Sequence, residues 1–397
     1  MSSILDETEL RQDWYSNIKI KRLRNYLVYT PENFNTALLY PNNIDFVAND
    51  IKNKLAEFQV DKIALEFERE GFNPHLIFNM NSFVKMLIST GRFNIEDFVY
   101  IVGIPGTSYN KEFYKKMFRD YSTLEKLSVE FVSRLEKNAE DIIRHKEELF
   151  DNFQKNNLRT KKFICFNGAC RVHRTYLLAK FLDNDLLVDS LYSFNFAFAD
   201  KSRYNEILEH HFQNQIPYRG IKWAKIKQTI FNNIDKLPFL ISHLSRGQQF
   251  NHESAEIDFE NYANTYFSII TETSFITWKK EHSIGIDTFD NHFFSEKTWK
   301  IIQAKHPFIL VSNYNILKSF RELGYKTFHP YIDESYDDIQ DDELRLESIL
   351  TEVNRLCKMS LNSLKELMER IDPIVRHNYE HLKSRNKEII YLDRKSV

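Results

Sequence analysis

Glycine sets the tightest limit on what this chain can fold into and hold. Its 397 residues include nine, at Gly71, Gly91, Gly103, Gly106, Gly168, Gly220, Gly247, Gly285 and Gly324, and no two of them form a G-x-G. Average usage would give roughly thirty. Neither a dinucleotide fingerprint nor a Walker A loop can be written from these positions. A phosphate held by such a chain must meet side-chain cations and helix N-termini, because no glycine cradle is available.

The other composition figures exclude classes rather than choose one. Apolar residues make up 42% and charged residues 28%, which is ordinary globular usage and not that of a disordered or fibrous chain. The 54 Lys and Arg against 56 Asp and Glu leave a formal charge of −2, so no global field draws nucleic acid or anionic lipid. Cys165, Cys170 and Cys357 contain no CxxC pair, which argues against a disulfide framework or a structural zinc site. No apolar run reaches the ~18 residues of a membrane span, and the acidic, polar start does not read as a signal peptide. The expectation is a soluble, cytoplasmic protein. Its length suggests two or three domains.

Hydrophobic patterning predicts two α/β series. In the first, Tyr26-Leu27-Val28-Tyr29, Lys62 to Phe67 and Phe98 to Val102 read as strands, residues 81–89 as a helix and residues 111–152 as helical throughout. Gln154-Lys155-Asn156-Asn157 marks the expected lobe boundary. In the second, Phe163 to Phe166, Leu191 to Phe194, Tyr266 to Ile270 and Phe308 to Val311 read as strands. Helices are expected at residues 173–182, 295–304 and 315–323, the last closed by Gly324, while residues 200–260 resist assignment. Strands alternating with helices imply right-handed crossovers and a parallel sheet. Residues 342–385 read as mostly helical with an interruption near Pro373, after an acidic run from Tyr336 to Asp342 read as a solvated helix entry.

Two loops could carry chemistry, since open parallel sheets bind ligands beyond the carboxyl ends of their strands. One, Asn167-Gly168-Ala169-Cys170-Arg171-Val172-His173-Arg174, leaves a strand and enters a helix. Its two guanidinium groups and imidazole sit at the positive end of that helix, where cations are disfavoured unless an anion compensates. The other is Phe294-Ser295-Glu296-Lys297-Thr298-Trp299-Lys300. Ser295 is a reasonable N-cap, which places Glu296 and Lys297 in the first turn. Lys297 can add a point charge for a phosphate there, and Glu296 can accept from a ribose diol.

The second loop, followed by His306-Pro307-Phe308-Ile309, Leu323-Gly324-Tyr325-Lys326-Thr327-Phe328 and Asp333-Glu334-Ser335-Tyr336-Asp337, resembles a glycosyltransferase-like family frequent in phages and large DNA viruses. It is also similar to the "TEK" segment of α1,3-fucosyltransferases and exostosin-type enzymes of the GT-B fold. Phe166-Asn167-Gly168 with Arg171, His173 and Arg174 resembles that viral family's "NGRPRPHR" loop, and Thr271-Glu272-Thr273 its "ETxF"-like segment. The resemblance covers about residues 160–345. Ala169-Cys170 departs from it, standing where the family has basic and proline residues.

The resemblance implies a GT-B type α/β protein with two Rossmann-like lobes: residues 1–155 on the acceptor side, 156–345 on the nucleotide-sugar side, and 346–397 a C-terminal helical region. It implies a metal-independent glycosyltransferase with no cofactor beyond its nucleotide-diphosphate sugar. Donor-binding residues would be Asn167, Arg171, His173, Arg174, Glu296, Lys297 and Thr298, with Glu296 on the ribose hydroxyls and Lys297 on the diphosphate. Glu272 is the catalytic candidate. The acceptor is a carbohydrate or small-molecule hydroxyl; a hydroxymethylated DNA base is an alternative, and a non-catalytic nucleotide-binding scaffold is another.

Weaker candidates are read as structural. Glu66, Glu68, Glu70 and Asp97 read as surface carboxylates, Asp183-Asn184-Asp185 as a turn, and His210-His211, His282 and His292 as packing or surface histidines. Trp299 reads as core, and the aromatic loop with Phe275, Trp278, Phe289 and Phe293 as packing. The basic run Lys19-Ile20-Lys21-Arg22-Leu23-Arg24 reads as a solvated face, with a DNA-backbone contact as the alternative.

Overall fold

In the computed structural model, the described residues are 21–23, 26–29, 44–67, 74–119, 121–131, 159–168, 170–195, 201–215, 221–237, 259–275 and 291–384, with a few single positions between. The chain forms two units, one of Met1–Arg134 with Trp278–Phe293 and Lys387–Val397, the other of Leu135–Thr277 with Phe294–Asn386. The expected boundary at 154–157, Glu68, Glu70, Trp278, His282 and Phe289 lie outside the described residues, as do the side chains of the 19–24 basic run and of Glu66.

The first unit is built on β1 (Lys21–Leu23), β2 (Tyr26–Tyr29), β3 (Lys62–Phe67), β4 (Phe98–Val102) and β5 (Ser128–Phe131). β1 turns back antiparallel onto β2, and β2 to β5 run parallel in chain order. The crossovers are α1 (Ile44–Phe58), α2 (Pro74–Ser89) and α3 (Ser108–Arg119). α1 is helical because Val47, Ala48, Ile51 and Leu55 fall on one buried face. All five residues of β4 are buried, as expected for a central parallel strand.

Residues 111–152 depart from the continuous helix expected of them. α3 ends at Arg119, a 3-10 turn follows at Leu124–Lys126, and Ser128–Phe131 is a strand. The alternating Ser-Val-Glu-Phe pattern suits a pleat, and pairing with β4 outweighs the helical spacing of its apolar residues. Asn110 ties in the segment before Phe294: its amide donates to the His292 carbonyl and accepts from the His292 N–H, each at 2.8 Å. Phe293, buried here, packs as expected.

The second unit holds β6 (Lys161–Asn167), α4 (Val172–Asp183), β7 (Ser190–Phe194), α5 (Tyr204–His210), α6 (Ile221–Asn232), α7 (Phe259–Ala263), β8 (Thr265–Thr271), α8 (Glu296–Gln303), β9 (Phe308–Val311), α9 (Ile316–Glu322), α10 (Asp342–Lys358) and α11 (Leu361–Ser384). Its four strands are all parallel, in the order β7-β6-β8-β9. The chain first steps from β6 to β7 on one side, then crosses to β8 on the other. That reversal is a topological switch point. Among the described residues the first sheet has no such reversal.

Two further expectations change. α11 runs unbroken through Pro373, which lies on the exposed face where the carbonyl it frees can meet water, while Ile371, Val375, Tyr379 and Leu382 anchor the buried stripe. The acidic run is not wholly solvated: Tyr336 and Asp337 are buried. Asp337 accepts from the backbone N–H groups of Leu317 and Lys318 at 3.0 and 3.1 Å, capping α9. No helix among the described residues is long and apolar enough to cross a membrane.

Candidate functional site

The switch point lies between the carboxyl ends of β6 and β8, and the sequence brings its polar residues there by register. β6 pairs with β8 through Phe163–Phe267 and Ile164–Ser268, so Asn167 and Thr271 end their strands side by side. Thr271 Oγ1 donates to Asn167 Oδ1 at 2.6 Å, both buried. α4 starts five residues beyond Asn167 with Arg171 as its N-cap, and α8 starts beyond Glu272 with Ser295 as its N-cap. Ser295 Oγ accepts from the Lys297 N–H at 3.3 Å, so Glu296 and Lys297 stand in the first turn, as the sequence predicts.

Glu272 joins these pieces. Its Oε1 accepts from the Ser295 N–H at 3.0 Å and from Thr298 Oγ1 at 2.6 Å. Arg174 donates to the carbonyls of Thr271 at 2.9 Å and Glu272 at 3.3 Å, and His173 Nε2 lies 3.0 Å from the Glu272 carbonyl. The first turn of α4 is thereby bolted to the end of β8, and the end of β8 to the first turn of α8. His173 stacks on Phe275 with ring centroids 5.2 Å apart, and the guanidinium of Arg345 lies over the same ring at 4.4 Å.

The eight residues expected at the site divide by exposure. Asn167, His173, Arg174, Glu272 and Thr298 are buried, so in this geometry they position the site rather than face a ligand. Glu272, the expected catalytic residue, is fully enclosed. Arg171, Glu296 and Lys297 are only partly covered; Lys297 is 21% and Glu296 14% exposed at the side chain, with an ion pair of 3.3 Å between them. Lys297 Nζ also donates to Ser295 Oγ at 3.0 Å.

Electrostatics follow from this enclosure. Burial, then the neighbouring Arg174 and Arg171 guanidinium groups, hold His173 well below the ordinary imidazole value, so it is neutral. With the Glu272 carbonyl beside Nε2, that nitrogen carries the proton. Burial, then Arg171, lowers Arg174 to about 10, and Glu272 pulls the other way, so Arg174 stays charged at neutral pH. Three cations therefore face two carboxylates at the switch point. The positive end of α8 is partly met within the chain, because Glu272 Oε1 accepts from the Ser295 N–H.

Several motif residues have architectural work. His306 is a core histidine between Ser268 Oγ, 2.7 Å from Nδ1, and the Thr265 carbonyl, 2.8 Å from Nε2. Trp299 is buried and donates to the Phe294 carbonyl at 3.2 Å, which keeps it from stacking on a ligand. Gly324 takes the left-handed C′ position at φ +93°. Asp97 accepts from the Asn94 N–H at 2.8 Å, a local cap. Asp183 accepts from Thr229 at 3.1 Å and Asp185 turns the chain with φ +53°. Among the described residues no three His, Cys, Asp or Glu cluster as metal ligands. Cys170 lies 3.3 Å from Thr175 Oγ1, which is 3.2 Å from His211 Nε2, and burial pushes the thiol up to about 11.

Sequence reasoning missed Ser295 as a partner of Glu272, and it missed Phe275 and Arg345 as supports of His173. No local signal marks these, since each depends on contacts between distant parts of the chain. Compared with protein-family models, curated proteins and solved structures, the chain matches none.

Proposed function

We propose that this protein is a glycosyltransferase that moves a sugar from a nucleotide-diphosphate donor to a hydroxyl acceptor. The fold assigned to it is the two-lobed GT-B type, with the donor on the second unit and the acceptor on the first. The observation that carries the reading is that Arg171, Glu296 and Lys297, all partly accessible, stand at the starts of two helices beside a switch point, each within electrostatic reach of His173 or Arg174. Open parallel sheets bind ligands at such places.

In the reaction the bond from the anomeric carbon to the diphosphate oxygen breaks, the acceptor oxygen bonds to that carbon, and the acceptor proton leaves to a base. Negative charge builds on the departing diphosphate. Arg171 and Lys297 are placed to meet that charge, and Glu296 to accept from the ribose hydroxyls. Arg174, His173 and Glu272 hold the two helix starts in register. Preorganised cations of this kind cost no reorganisation at the moment of transfer.

A thermal-shift panel of UDP, GDP, ADP, CMP and TDP on the parent, Lys297→Ala and Glu296→Ala tests the reading. One nucleoside diphosphate should raise the parent's melting temperature, and Lys297→Ala should weaken its binding by about tenfold or more, the usual worth of a charge-assisted hydrogen bond. If no nucleotide shifts the parent, the site assignment is wrong. Release of free sugar from the stabilising donor separates a transferase from a scaffold, which would bind without turnover.

A further inference from the structure

Glu272 does more than its two hydrogen bonds require. Both donors, the Ser295 N–H and the Thr298 hydroxyl, meet the same oxygen, Oε1. A glutamine carbonyl could accept both. The second oxygen, Oε2, is buried and takes no hydrogen bond among the described residues. An enclosed acceptor without a donor is destabilising, and a native structure that keeps one calls for a reason beyond packing. A carboxylate here brings negative charge to the positive end of α8 and acts on the Arg174 guanidinium.

We infer that Glu272 is a built-in counter-anion of the diphosphate site, a positioning residue whose charge weakens the grip of Arg171 and Lys297, backed by the buried Arg174, on a bound diphosphate. The inference rests on the diphosphate reading of this site. Glu296 pairs with Lys297 and has the ribose to bind, so without Glu272 the cations would hold a diphosphate more tightly both before and after transfer. The Glu272 carboxylate, held by Ser295 and Thr298, offsets part of their field without touching the ligand. It therefore favours release of the leaving diphosphate.

The test is Glu272→Gln, which keeps an oxygen for both donors and removes the charge. Inorganic pyrophosphate and UDP are titrated into the parent and the variant by calorimetry at low salt. Pyrophosphate should bind the variant about tenfold more tightly, the effect of one charge several ångströms away in a medium of protein-like dielectric. This gain should shrink as salt is added. A role in packing alone would leave affinity unchanged or lower it, so either result in a folded variant overturns the inference while leaving the site in place. Absence of pyrophosphate and UDP binding by both proteins overturns the site reading and this inference together. If Glu272→Gln does not fold, Glu272→Met carries the test: it also removes the charge, and unchanged or weaker pyrophosphate binding by the folded variant overturns the inference.

Discussion

His306 illustrates how enclosure fixes chemistry at single residues. Burial, then the positive charge of Arg159, lowers its imidazole to about 3, so it stays neutral through the physiological range. The unfolded chain binds a proton near the ordinary histidine value, whereas the folded one does not until far lower pH. Its contribution to stability is thus complete above about pH 6.5 and is lost as pH falls toward 3. Between pH 7.5 and 5 this one group should remove about 2 kcal/mol. Comparing urea unfolding of the parent and His306→Asn at both pH values isolates it: the variant should be less stable at pH 7.5, with the gap narrowing by about that amount at pH 5. An unchanged gap would mean that His306 is charged in the fold. Ser268, Thr265 and Tyr262, which help enclose the ring, come from about forty residues away and could not be read from the His-Pro pair; the Thr265 carbonyl itself pulls the other way.

At the scale of elements, the sequence signals that survive are those whose partners are local. The Ser295 cap, the αL Gly324 and the strands at 98–102, 163–166 and 308–311 were all legible, because N-caps, C′ glycines and apolar runs act within a few residues. The strand at 128–131 was not, since only β4 makes it one, and neither was the burial of Asp337, whose capped helix begins some twenty residues earlier. Gly324 offers a test of this scale. A Cβ there would come 2.6 Å from the His381 ring, and the backbone sits at φ +93°. His381 in turn lies 2.8 Å from the Leu323 carbonyl, so α11 closes the end of α9. Gly324→Ala should lower stability by more than about 1 kcal/mol. In a double-mutant cycle, His381→Ala should recover the part due to the clash but not the part due to backbone strain. Additive losses would show that the ring is not the obstacle.

For the whole molecule, composition limited the means of binding and topology decided the place. Nine glycines and a charge of −2 leave a diphosphate no backbone cradle and no global attraction, so a local excess of cations must serve. Asn167, Thr271 and the two helix starts could be listed from the sequence as loop residues. Their convergence could not, because it follows from β7 and β8 taking opposite sides of β6, and the β6–β8 pairing joins Phe163 to Phe267, 104 residues along the chain. The same reversal separates the two units: the second sheet has a switch point, while the first runs in chain order among its described strands. Ligand protection should then be uneven along the chain. Hydrogen–deuterium exchange with the nucleoside diphosphate that gives the largest thermal shift should slow exchange in peptides covering residues 167–175 and 294–299. Those peptides span the two helix starts; the Ser295 and Lys297 amides are already bonded within the chain, so the added protection should fall on the first-turn N–H groups that are not. Peptides from β3 and β4 should be unaffected by the nucleotide alone. Protection confined to the first unit, with none at the starts of α4 and α8, would move the nucleotide to the other sheet and leave the Arg171–Lys297 constellation as architecture.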